Sequence, residues 1–288
     1  MVNARAISRE QPNNATDRSL LKLTIAPMLS SPNAILALKF LFLTLAFVTG
    51  ARLTALAVAR ESLATGGLES SAAGRVLAAA VLGAVTGAKL VFAAGFPALW
   101  AGEEMHGIWV LAAGFSVPGA LAGLWLGLWL AAPARTGAWA DTLTPAVIAM
   151  LLIVDAGATL WSLSEPGFGA PARHWGVDFG DGVRRHPVML YDAAFLLAMW
   201  WANRTLQHQG WSMPGLRASV LWGSYFAASL LLAFLRPPFG PALLLEKIQI
   251  TPYMYAPGLT AEQWLCIAVS AVLAVASVRV LWRRPDQA

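Results

Sequence analysis

The chain has 288 residues, of which 58% are hydrophobic and only 12% charged. A soluble domain carries about a quarter charged residues, so a water-soluble fold does not fit this composition. The formal charge of +5 lies between apolar blocks, which makes anionic lipid headgroups the expected partner and leaves no case for nucleic acid.

The apolar blocks approach the ~20 residues that cross a hydrocarbon core. They lack the period-two alternation of barrel strands, and backbone groups in lipid must be satisfied within the segment. The expected fold class is therefore all-α: a polytopic membrane protein with about seven transmembrane helices in one bundle. Residues 1–30 read as a polar N-terminal tail carrying Arg5, Arg9, Asp17 and Arg18, with no signal-peptide pattern. Residues 31–288 read as a single integral membrane domain.

In chain order, the first span is expected near Asn33 to Ala57 and carries Lys39. The second, about Gly74 to Phe96, carries Lys89, and the third, about Gly107 to Ala131, contains Pro118. The fourth runs from about Asp141 to Leu163 with Asp155 near its exit. A Gly- and Pro-rich loop from Ser164 to Arg185 leads to span five, which opens at His186-Pro187 and continues to about Ala202. Span six covers about Leu216 to Leu235, and the last covers Ala261 to Trp282. Tryptophan favours the membrane interface, and Trp100, Trp139, Trp200, Trp201, Trp211 and Trp282 all fall near these boundaries. Gly119, Gly123 and Gly127 recur every four residues, a spacing that lets helices approach closely.

Seven spans put the termini on opposite sides. With the C-terminus inside, the inner loops hold Arg52, Arg60, Arg75, Arg135, Arg204, Arg217, Arg279, Arg283 and Arg284, against Arg173, Arg184, Arg185, Arg236 and Lys247 outside. The positive-inside rule then favours a cytoplasmic C-terminus. The lone Cys266 cannot form an intrachain disulfide and reads as a small buried residue. His106, His174, His186 and His208 are too scattered for metal-ligand spacing, so neither a metal nor another cofactor is expected.

Ionisable groups inside a membrane cost about 2.5–3.5 kcal/mol on insertion scales and usually face the bundle interior. Lys39, Lys89 and Asp155 are such groups. Lys89 would pair with Asp155 across neighbouring helices or hold a lipid phosphate; an ordinary structural ion pair or snorkelling explains it equally. Polar density then rises over Glu165, His174, Arg184, Arg185, His186, Tyr191 and Asp192. Pro187 suits a helix first turn, which would bring His186, Tyr191 and Asp192 to a helix mouth suited to phosphate. The plainer alternative is a solvated loop with a capping cluster.

Arg185-His186-Pro187-Val188-Met189-Leu190-Tyr191-Asp192 resembles the R-H-P-x-x-L-Y-E segment of the prolipoprotein diacylglyceryl transferase family. Trp175 to Phe179 resembles that family's W-G-V-x-F stretch, and Glu165 with Gly169 resembles its N-G-E-x-x-G motif. Ser224-Tyr225-Phe226 through Arg236-Pro237 resembles its sixth span, Leu259 to Leu265 with Gln263 its last, and Gly87-Ala88-Lys89 a G-G-R in its second. The resemblance implies a bacterial inner membrane location, an outer N-terminus and a cytoplasmic C-terminus. It also implies transfer of diacylglyceryl from phosphatidylglycerol to a lipobox cysteine of a lipoprotein precursor. By resemblance, Glu165, His186 and Asp192 are catalytic candidates, and Lys89, Arg185, Tyr191 and Arg236 are lipid- or phosphate-binding candidates.

Four positions depart from the pattern. Pro118 stands where the family has a histidine, Gly157 falls in the stretch that lacks its arginine and asparagine, and Ser229 and Ala233 occupy its sixth-span arginine and glutamate positions. None of these side chains can act as a base or a fixed cation, and losing such donors commonly costs several kcal/mol of transition-state stabilisation. The expectation is a divergent membrane protein that binds phospholipid in an intramembrane cavity without the standard transferase activity, alone or within a larger membrane complex. The alternative is an active lipid or diacylglyceryl transferase with a rearranged site.

Overall fold

The computed structural model describes residues 32–64, 70–97, 115–162, 169–172, 175–178, 183–211, 213–236 and 253–282. The N-terminal tail, Glu165 and His174 lie outside the described residues. Among the described residues there are seven α-helices: α1 Pro32–Ala64, α2 Ser70–Gly95, α3 Val117–Ala131, α4 Thr136–Ser162, α5 Val188–His208, α6 Leu216–Ala233 and α7 Ala261–Trp282. A 3-10 turn, Pro133–Arg135, joins α3 to α4, and two short strands, β1 Val177–Asp178 and β2 Arg184–Arg185, lie between α4 and α5.

The chain is an all-α polytopic membrane protein. Among the described residues, five segments are long and apolar enough to cross a bilayer: Phe40–Ala59, Ala73–Gly95, Pro133–Gly157, Leu216–Ala233 and Ala261–Trp282. Helix α3 is apolar but has only 15 residues, a rise of about 22 Å. Its start also differs from the expected boundary near Gly107: Ser116 caps it by accepting a hydrogen bond from the Gly119 N–H at 3.1 Å, with proline in the first turn. Helix α5 continues past Ala202 to His208 and holds Asp192, Asn203 and Arg204 along its length, which explains why its hydropathy is lower. Large apolar side chains such as Phe40, Phe47, Leu82, Leu90 and Val272 project outward from the bundle. On a soluble monomer these would form a sticky patch; in hydrocarbon they are the ordinary outer face.

Helix α2 packs along α3, α1 along α4, α6 along α7, and α4 and α6 both meet α5. The α2–α3 seam is built from glycine. A Cβ on Gly83 would run into the Gly123 carbonyl, one on Gly127 into the Ala79 carbonyl, and one on Gly119 would come 2.6 Å from the Gly87 carbonyl oxygen. The main core lies among α3 to α7, where Leu196, Trp222, Tyr225, Phe226 and Cys266 are buried. Trp222 stacks at a tilt on Trp125, 5.6 Å between centroids, and donates its indole N–H to Thr144 Oγ1 at 3.0 Å. Trp139, at an expected boundary, is buried against Ala73, Val76 and Leu128 instead of facing headgroups.

One polar contact fixes the start of α6. Gly215, with φ +85°, precedes the helix and supplies no capping side chain. Asp141 of α4 does so from outside: Oδ2 accepts from the Gly215 N–H and Oδ1 from the Ala218 N–H, each at 2.7 Å. Arg217 donates back to the Asp141 carbonyl at 2.9 Å. A carboxylate at a helix N-terminus satisfies orphan N–H groups and meets the positive end of the helix dipole.

Four outcomes follow for stability in detergent, measured by thermal or denaturant unfolding. Gly123→Ala should destabilise by about 1–3 kcal/mol, because the added methyl meets backbone and not a yielding side chain. Gly74→Ala, where nothing lies within 4 Å, should be neutral or slightly stabilising. Asp141→Ala should cost about 2 kcal/mol. Asp141→Asn should cost less, since one acceptor oxygen remains.

Candidate functional site

The ends of α4, α5, α6 and α7 converge at one end of the bundle. Asp155 sits two turns before the end of α4, Asp192 in the first turns of α5, Arg236 just past α6, and Glu262 in the first turn of α7. The Arg236 guanidinium bridges the last three elements: Nη2 lies 3.8 Å from Asp192 Oδ2 and Nη1 lies 3.6 Å from Glu262 Oε1. Asp155 stands within electrostatic reach of both Asp192 and Arg236. The Asp192 side chain is 8% exposed and that of Glu262 is 32%, so the pair at Asp192 is the one shielded from solvent.

A second layer lies below. Tyr225 of α6 is buried and directs its hydroxyl at Asp192, while Ser229, one turn further along α6, hydrogen-bonds Tyr225. Cys266, one turn after Glu262, is buried beside the same group. Gln263 takes part in a different task. It accepts from the Thr260 N–H at 2.8 Å while its own N–H donates to Thr260 Oγ1 at 3.2 Å, a reciprocal capping box that starts α7.

His186 and Tyr191 form a separate pair. His186 Nδ1 and Tyr191 Oη are 3.4 Å apart, with ring centroids at 6.2 Å. Asp192 follows Tyr191 by one residue, which turns it by about 100° around the helix and points it toward Arg236. The His186 backbone is held on both sides: its N–H donates to the Ala170 carbonyl at 3.1 Å and its carbonyl accepts from Gly169 at 3.0 Å. Ala170 in turn donates to the Leu235 carbonyl, so this loop is stitched to the end of α6 beside Arg236. A Cβ on Gly169 would meet the His186 and Leu235 carbonyl oxygens at 2.6 and 2.7 Å; only glycine fits at this crossing.

Arg185 lies on β2, opposite Val177, and Arg184 lies opposite Asp178. Lys89 is half-buried on α2, next to Ala88, whose carbonyl accepts from the Ser116 N–H at 3.2 Å. Of the four departing positions, Pro118 and Gly157 are buried within α3 and α4, Ser229 is buried against Tyr225, and Ala233 is half-buried in the last turn of α6. Among the described residues no group of His, Cys, Asp and Glu is arranged to hold a metal ion. Sequence reasoning assigned no role to Glu262 or Tyr225. The available signal was topological: Glu262 opens the span that follows the one Arg236 closes, so both sit at the same end.

Chemically, the group offers three carboxylates around one guanidinium. Two like charges about 5 Å apart repel by about 3 kcal/mol at the effective dielectric of a protein boundary. An incoming phosphate at Arg236 would meet that repulsion from each ionised neighbour.

The family model for prolipoprotein diacylglyceryl transferase matches residues 24–279. No curated protein sequence matches the chain significantly. The family match runs through every helix that builds the carboxylate–arginine group, and the chain belongs to the prolipoprotein diacylglyceryl transferase family.

Proposed function

We propose that this family member binds phospholipid, with phosphatidylglycerol the favoured lipid, and has lost the standard diacylglyceryl transfer. The single observation that supports this is the clamping of Arg236 between Asp192 and Glu262. Transfer from phosphatidylglycerol releases glycerol phosphate, and such a leaving group needs free, preorganised cations. Arg236 is the terminal arginine of the family's sixth-span pattern, and here its charge is already met by carboxylates. Ser229 and Ala233 supply no replacement in the same helix, and Pro118 supplies no base in α3.

Lipid would be met at this same end of the bundle, beside Arg236 and the carboxylates that oppose a phosphate there. Arg185 on β2, with Lys89 on α2, carries the charge suited to a headgroup phosphate, and Tyr191 the hydroxyl. We place this end outside the inner membrane of a bacterium. Arg75, Arg135, Arg204, Arg217 and Arg279 mark the opposite ends of the helices, and the positive-inside rule makes those ends cytoplasmic. Lipoprotein precursors or a larger membrane complex are the protein partners this position allows.

A second reading keeps activity with a rearranged site. The contact of His186 with Tyr191 favours it, since a histidine near a phenol at a helix mouth can relay a proton. Glu165 and Asp192 would be its other acid–base groups.

Reconstituted with phosphatidylglycerol and a lipobox peptide, the protein should release no glycerol phosphate, and it should not restore growth to cells depleted of their own transferase. Turnover abolished by His186→Ala would establish the second reading instead. Binding of phosphatidylglycerol, followed by native mass spectrometry from mixed-lipid nanodiscs, should persist. Glu262→Gln should strengthen that binding at least severalfold by removing one repelling charge near Arg236. An unchanged or weaker affinity in Glu262→Gln would show that the clamp does not oppose the lipid.

A further inference from the structure

The hairpin between α4 and α5 has two unlike faces. In β-strands successive side chains alternate sides, and directly opposed residues share a side. Val177 pairs with Arg185, so Val177 and Arg185 share one face, and Trp175 and Val183 flank them just outside the two strands. Asp178 pairs with Arg184 on the other face, where Gly176 also lies: a Cβ on Gly176 would meet Ala172 Cβ and Arg184 Cβ, both at 2.9 Å. Asp178 and Arg184 are exposed, so this second face is charged where the first is largely apolar.

The first face is apolar and uncovered. Trp175 is 83% exposed, and Val177 and Val183 are exposed beside it. An isolated two-stranded hairpin is at best marginally stable in water, yet this one is fixed in position. Pro171 bridges to Arg185, the Ala172 N–H donates to the Arg184 carbonyl at 2.8 Å, and Ala170 is bonded to Leu235 at the end of α6. The hairpin thus stands beside the start of α5 and the end of α6, and α6 is long and apolar enough to cross a bilayer. Other aromatic side chains lie at the same end: Phe115 before α3, and Tyr255, whose hydroxyl donates to the Ala94 carbonyl near the end of α2.

We propose that the Trp175–Val177–Val183 face of this hairpin seats in the headgroup layer of the protein's own bilayer, with Arg185 meeting anionic phospholipid. A tryptophan with an apolar body and one N–H is suited to that layer, and a basic side chain near an anionic surface adds about 1 kcal/mol. Lipid is favoured over a protein partner because the face is small, continuous with the membrane boundary, and carries its basic residue on the same side as its apolar ones. The inference is independent of whether diacylglyceryl transfer occurs.

The test uses the full chain with Cys266→Ala, in nanodiscs of phosphatidylcholine alone or with added phosphatidylglycerol. Spin labels are placed singly through Trp175→Cys, Val177→Cys and Asp178→Cys, and collision with oxygen is compared with collision with a water-soluble nickel complex. The expected result is an alternation: labels at 175 and 177 meet oxygen several-fold more relative to nickel than the label at 178. Added phosphatidylglycerol should deepen the first two, and Arg185→Gln should remove that increment. Bromolipid quenching of the wild-type chain, compared with Trp175→Phe, gives a second measure that needs no label at the site, since Trp175 should account for a quenched share among the 13 tryptophans. Water accessibility at all three positions would overturn the proposal, as would equal depth in both lipid compositions. Shielding of 175 and 177 that develops only on adding a lipobox peptide would also overturn it, assigning the face to a protein partner.

Discussion

The contact on which this end of the molecule depends is the bridge from Arg236 to Asp192 and Glu262. It joins the end of α6 to the beginnings of α5 and α7, which are distant in sequence. Charges near hydrocarbon are retained only when they are met by partners, so removing any one member strands the others. Truncating one partner of a shielded ion pair leaves an uncompensated charge, which is commonly worse than replacing the whole group by apolar residues. The same bridge that organises the helix ends also engages both terminal nitrogens of the Arg236 guanidinium.

Helix α6 is held at both of its ends by groups from elsewhere. Asp141 caps its start across from α4, while the Leu235 carbonyl and Arg236 tie its end to the loop before α5 and to α7. Between them run Trp222, Tyr225, Phe226 and Ser229, the buried side of the helix. This fixed helix places Tyr225 against Asp192. The loop crossing at Gly169 then positions His186 against the same helix end.

Much of this was legible in the chain itself, for physical reasons. Apolar length is dictated by bilayer thickness, so the spans of α2, α6 and α7 emerge from the sequence nearly where the helices lie. The glycine repeat at Gly119, Gly123 and Gly127 announced a close helix contact but could not name its partner; that required the complementary Gly83 and Gly87 on α2. Helix α3 is shorter than its apolar run suggests, because Ser116 and the proline of the first turn set its start inside that run. Asp141 read as the edge of a span, since nothing local in sequence shows that it reaches across to Gly215 and Ala218. Likewise Glu262 looks like an ordinary acidic residue in a helix first turn. Its role depends on which helix lies beside it, and that is decided by three-dimensional packing alone.

The glycine seam between α2 and α3 closes one boundary of the bundle to anything arriving from the side. Backbones in direct contact leave no side-chain layer that rotamer changes could part. A hydrocarbon tail sliding sideways from the bilayer would find that boundary welded shut, and any lateral doorway must open along a different pair of helices, where longer side chains can swing aside.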